Sequence, residues 1–144
     1  MTIAVDFDGT IVEHRYPEIG KEKLFAFETL KELQKQGHLL ILWTFRTGKE
    51  LEEAVEYCRK NGLEFFAVNN SYPEEEFNPS ISRKINADLF IDDRNIGGLI
   101  GWGEIYQMLS ENVSQPEREL FLSRYKKAER NTFCGFIKSL FCRE

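Results

Sequence analysis

A chain of 144 residues, 42% apolar and 30% charged, is long enough for one domain with its own core and too apolar for an intrinsically disordered one. Its formal net charge of −5 argues against a general nucleic-acid binder, which carries a basic footprint. No stretch approaches a membrane-spanning helix, Asp6 interrupts the first apolar run as no secretory leader would, and Cys58, Cys134 and Cys142 have neither metal-ligand spacing nor the number for a disulfide framework, so a cytoplasmic, reduced protein is expected.

The first predicted element is the strand Ile3-Ala4-Val5, which runs into Asp6-Phe7-Asp8-Gly9-Thr10. Asp6 and Asp8 would share a face if the strand continued. Gly9 instead predicts an immediate turn, which lets the loop wrap both acids around one small ion or anion. Two carboxylates at the mouth of a buried strand repel each other, and a cation between them relieves this. Mg²⁺, held by one or two carboxylates plus phosphate oxygens, suits such a site.

From Lys21 to Gln36, Leu24, Phe27, Leu30 and Leu33 recur at helical spacing, and Gly37 closes the helix. A second strand follows at Leu39 to Trp43. Lys49 to Lys60 repeats the helical pattern through Leu51, Ala54, Val55 and Cys58 and is closed by Gly62. Phe65 to Val68 and Ala87 to Ile91 read as the third and fourth strands. Strands alternating with helices predict βαβ units, and continuous apolar runs suit strands buried on both faces. The expected fold is therefore α/β: a Rossmann-like, three-layer α/β sandwich around a central parallel sheet, spanning residues 1–112.

Residues 113–144 form a C-terminal extension with seven Lys/Arg against four Glu. Phe133, Phe136, Ile137, Leu140 and Phe141 make an apolar helical stripe. The expected role is packing on the parent domain or on a second copy of the chain, with a reversible membrane-surface contact as the alternative.

In parallel α/β sheets, ligands bind at the carboxyl ends of the strands. The four runs end in Asp6 and Asp8, Thr44 and Arg46, Asn69 and Asn70, and Asp92 and Asp93. Any one of these could be a turn former or cap. Polar groups delivered by four strands to one edge instead predict a site.

These residues resemble the motifs of the haloacid dehalogenase-like phosphohydrolases. Asp6-Phe7-Asp8-Gly9-Thr10 is similar to their first motif, Thr44 after Leu-Ile-Leu-Trp to the second, Lys84 to the third and Ile91-Asp92-Asp93 to the fourth, all in the family's order. The intervals between motifs leave no room for a cap domain, as in small capless bacterial members with an open site.

The resemblance implies a Mg²⁺-dependent phosphomonoesterase. Asp6 would attack phosphorus and form an aspartyl-phosphate, and Asp8 would act as general acid and base. Thr44 and Lys84 would bind phosphoryl oxygens. Asp6, Asp93, the backbone carbonyl of Asp8 and, directly or through water, Asp92 would hold the metal. Arg46 and Asn69 are candidate substrate contacts, with a structural salt bridge as the other reading of Arg46. Arg83 could take the role of its neighbour Lys84, and Arg94 is expected to pair with a carboxylate. Ile11 to Pro17 resembles the family's flap, from which His14, Arg15 and Tyr16 could reach a leaving group or simply form a solvated turn.

The substrate class stays open. A large phosphorylated substrate suits an open site, and a small one suits it if another subunit supplies a lid. A phosphotransferase on the same scaffold is one alternative. A phospho-accepting receiver module is another, although there the acidic pair ends the first strand, the reverse of the order here.

Overall fold

The structure, a computed structural model, describes residues 1–76 and 78–110. The C-terminal extension at 113–144 lies outside the described residues. In chain order the elements are β1 (Thr2–Val5), α1 (Ala26–Lys35), β2 (Leu39–Leu42), α2 (Gly48–Lys60), β3 (Ala67–Val68), β4 (Leu89–Ile91) and α3 (Trp102–Leu109). The strands form one parallel sheet in the order β3-β2-β1-β4, so the α/β expectation holds. None of the described helices is long and apolar enough to cross a membrane.

Strand pleating divides the core into two sides. Ile3, Val5, Leu40, Leu42 and Ile91 pack with residues of all three helices, among them Phe27 and Leu30 of α1, Ala54 and Cys58 of α2, and Trp102 and Ile105 of α3. Ala4, Ile41 and Ala67 turn the other way, onto Ile85 with Trp43, Ala87 and Phe90 against them. The described helices thus lie on one face, and the connection from β3 back to β4 contributes cover to the other. Cys58 is fully buried in α2. Burial pushes its thiol up to about 12, so it is an inert packing residue.

Helices α1 and α3 differ most from the sequence expectation, and β3 and β4 are shorter than their apolar runs. Helix α1 begins at Ala26 rather than Lys21, because residues 21–23 pair with the loop after β1. The Glu13 N–H donates to the Lys21 carbonyl at 2.7 Å and the Lys23 N–H to the Ile11 carbonyl at 2.9 Å. Leu24 is consequently exposed. Helix α3 has no counterpart in the sequence expectation. Trp102, Ile105 and Leu109 carry its apolar face, and the Glu104 carboxylate accepts from the Gly101 N–H at 3.1 Å at its start.

Candidate functional site

Register brings the strand ends level. Val5 pairs with both Leu42 and Ile91, and the ladder continues one step further as the Asp6 N–H donates to the Ile91 carbonyl at 3.0 Å and the Trp43 N–H to the Val5 carbonyl at 2.9 Å. The polar residues that follow each strand therefore emerge along one edge.

Asp6, Asp92 and Asp93 each offer a carboxylate oxygen, all within 4.8 Å of one another, and could hold a metal ion. The residue that organises them is Thr10, which is fully buried. Its hydroxyl donates to Asp6 Oδ2 at 3.1 Å and accepts from the Asp93 N–H at 3.0 Å. The Trp102 indole N–H in turn donates to the Thr10 carbonyl at 2.9 Å, and the Thr29 hydroxyl donates to the Trp102 carbonyl at 3.2 Å. Helices α1 and α3 thereby brace the turn from behind. The Arg94 N–H orients Asp92 through its Oδ1 at 2.7 Å.

Gly9 makes the close approach possible. Its φ is +95°, and a Cβ there would lie 2.2 Å from Asp93 Oδ2, so both the backbone conformation and the space demand glycine. Gly9→Ala is expected to push the Asp93 carboxylate out of the cluster. Titration with a divalent cation should show affinity reduced by at least about tenfold, the scale at which disturbed ligand orientation acts. Unchanged affinity would separate Gly9 from the cation site.

The electrostatics of the cluster disfavour three ionised carboxylates side by side. Burial pushes the Asp6 carboxyl up to about 6, and the charges of Asp92 and Asp93 add to the rise, against hydrogen bonds from the Phe7 N–H and the Thr10 hydroxyl. Asp93 Oδ1 is buried without a hydrogen-bond partner among the described residues. A carboxyl raised in the folded state favours folding below its ordinary value, near 4, and that contribution is lost as pH rises through about 6. A cation held by the cluster would bind the ionised form and remove the penalty. The increase in Tm caused by a divalent cation should therefore be larger at about pH 7.5 than at about pH 5; an equal increase at both would contradict this coupling.

Asp8 is turned away from the cluster. Arg46, at 1% exposure, grips it with both arms of the guanidinium: Nε donates to Asp8 Oδ2 at 2.6 Å and Nη2 to Oδ1 at 2.8 Å. The remaining Arg46 donors reach the Pro17 and Glu18 carbonyls at 2.9 and 2.8 Å, and the guanidinium lies over the rings of Phe7 and Tyr16 at 5.1 and 5.3 Å. Asp8 in turn raises the Arg46 pKa through these bonds. The expected substrate contact by Arg46 is thus corrected to a buried salt bridge. A carboxylate has about four acceptor positions, so Asp8, which lines the cleft, retains accepting capacity toward it.

Thr44 is where the sequence put it, at the cleft edge. Its N–H donates to Asn69 Oδ1 at 2.8 Å and its hydroxyl accepts from the Arg46 N–H at 3.3 Å. Asn69, at φ +54°, therefore anchors the β2 loop, and it lines a neighbouring cavity of about 350 Å³ together with Thr44 and Arg83. Lys84 does not line either cavity. Burial of Ile85 against the sheet turns its neighbours outward, and the Lys84 ammonium rests 5.9 Å from the Phe90 ring. Arg94 makes no side-chain ion pair among the described residues and instead lines the cleft with His14. Thr10 and Phe45 belong to the site although neither is among the residues that the strand ends predict. The position of Thr10 in the DxDGT run was the available signal for the first.

The cleft over Asp6, Asp8 and Asp92 has a volume of about 550 Å³. Fold and site together define an α/β protein with a parallel sheet and a carboxylate cleft at its carboxyl edge. A solved structure of a conserved protein from Bacteroides thetaiotaomicron is 61% identical to this chain, with a TM-score of 0.73 over 81% of this chain and 95% of that one. The chain belongs to the same family as that conserved protein. No family model and no curated protein matches it.

Proposed function

We propose that this protein is a Mg²⁺-dependent phosphomonoester hydrolase of the haloacid dehalogenase-like kind, on a capless three-layer α/β scaffold whose reverse face carries the chain that crosses from β3 to β4. The observation that carries the reading is the division of labour among the acids. Asp6, Asp92 and Asp93 converge within 4.8 Å, while Asp8, two residues from Asp6, is held apart by Arg46.

The all-oxygen donor set and the unpartnered Asp93 Oδ1 fit a hard divalent cation. Asp6, Asp92 and Asp93 would hold Mg²⁺, which when bound supplies positive charge against the carboxylates and the phosphoryl oxygens. The free Asp6 oxygen attacks phosphorus, the ester P–O bond breaks, and an aspartyl-phosphate forms as the alcohol leaves. Asp8 takes a proton from the water that hydrolyses the acyl phosphate, returning Asp6 and free phosphate, and in that protonated form supplies the proton to the leaving oxygen of the next ester. Thr44 would face the phosphoryl oxygens, and Arg94 adds positive charge at the rim, which His14 also lines.

The test is phosphate release from a phosphomonoester in the presence of Mg²⁺. Release should stop with chelator, return with added Mg²⁺, and be absent in Asp6→Asn. Turnover that survives either the chelator or the substitution would overturn the mechanism.

A further inference from the structure

The cleft carries a second set of residues that phosphoryl transfer does not use. Phe45 is 91% exposed, although both its neighbours are pinned, Thr44 to Asn69 and Arg46 to Asp8. The ring is thus presented to the cleft by a fixed backbone and has no part in the core. Tyr16, half exposed, lies over the Arg46 guanidinium at 5.3 Å, which fixes its ring against a buried group while the residue lines the cleft. Trp43 lines the same cleft. Three aromatic side chains therefore line the cleft that holds the carboxylates, together with His14 and Arg94.

Such a rim recognises flat faces. Aromatic side chains stack on planar rings with little regard to their edge groups, and Arg94 can add a cation–π or hydrogen-bonding contact. An acyclic polyol or a serine side chain offers no face for this wall. The volume of about 550 Å³ also lies within the roughly 300–1,000 Å³ usual for small-molecule sites, which favours a compact leaving group over a macromolecular one.

Building on the phosphohydrolase reading above, we propose that the substrate is a phosphomonoester whose leaving group carries a planar ring, a nucleoside monophosphate in biological terms, with Phe45 and Tyr16 as the stacking residues. The phosphate sits against Thr44 and the acids, and the base lies along the aromatic wall.

The experiment compares kcat/KM for adenosine 5′-monophosphate, p-nitrophenyl phosphate, ribose 5-phosphate and glycerol 3-phosphate, in the wild type, Phe45→Ala and Phe45→Trp, all with Mg²⁺. The wild type should prefer adenosine 5′-monophosphate, whose leaving group carries a planar ring, over ribose 5-phosphate and glycerol 3-phosphate by about tenfold or more, the scale of one stacked base. Phe45→Ala should erase most of that preference, chiefly through KM, and Phe45→Trp should keep it. A wild-type preference for ribose 5-phosphate or glycerol 3-phosphate overturns the proposal and leaves the phosphohydrolase reading standing. So does an equal loss on all esters in Phe45→Ala.

Binding of adenosine 5′-monophosphate to Asp6→Asn, followed by tryptophan fluorescence, separates the two readings if no ester is hydrolysed. Binding that Phe45→Ala weakens supports the stacking wall and removes the hydrolase reading. Absence of binding removes both.

Discussion

Asp6→Asn is expected to abolish phosphomonoester turnover and, in metal-free protein near neutral pH, to raise Tm by a few degrees. The two effects share a cause. Asp6 is held between burial and the charges of Asp92 and Asp93, which push its carboxyl up to about 6, so keeping it ionised at neutral pH costs folding free energy. An amide of the same shape can still accept the Thr10 hydroxyl bond without that penalty. It cannot displace an alcohol from phosphorus, so kcat should fall by at least on the order of 10³-fold, as for other lost nucleophiles. A stabilised, inactive protein is the signature of a residue kept for chemistry at the expense of the fold. Phosphate release and thermal denaturation of the same sample test both halves. A variant that is inactive but also less stable would indicate that Asp6 is structural.

Arg46→Met should be the most destabilising single change near the cleft. The guanidinium is fully buried and makes bonds to Asp8, Pro17 and Glu18. Methionine keeps the stem but strands the Asp8 carboxylate and two loop carbonyls. Breaking a buried pair by removing one partner costs about 3–5 kcal/mol, which at this chain length corresponds to a Tm lower by roughly 10–20 °C. Adding Asp8→Leu should restore part of the loss, since the orphaned charge goes with it. Thermal unfolding of the two single variants and the double variant closes the cycle. A Tm for Arg46→Met within a degree or two of wild type would show that the pair contributes little.

Arg46 also illustrates how far the sequence could be read. That the residue two positions after Thr44 belongs to the site follows from its place past a strand end. Whether its charge faces a substrate or a carboxylate depends on how the loop at 13–20 folds back. The Pro17 and Glu18 carbonyls come from that loop, and no local pattern in the chain specifies their position. Lys84 is the converse case. Its distance from the fourth strand matches the third motif, but the alternation set by buried Ile85 turns it outward.

The parallel sheet, the two crossover helices and the convergence of Asp6, Thr44, Asn69 and Asp92 on one edge were all legible along the chain. They depend on hydrophobic periodicity and on which residues follow each apolar run, and both are local properties. The start of α1, the existence of α3 and the bridge made by Thr10 were not. Each depends on partners far along the chain: residues 21–23 against 11–13, Trp102 against Thr10, and Thr10 against Asp93. The unequal surroundings of Asp6 and Asp8 belong with these. Two identical side chains, two positions apart, meet an acid cluster in one case and a buried guanidinium in the other. Burial and long-range packing set that difference, and it is what separates the proposed nucleophile from the proposed proton carrier.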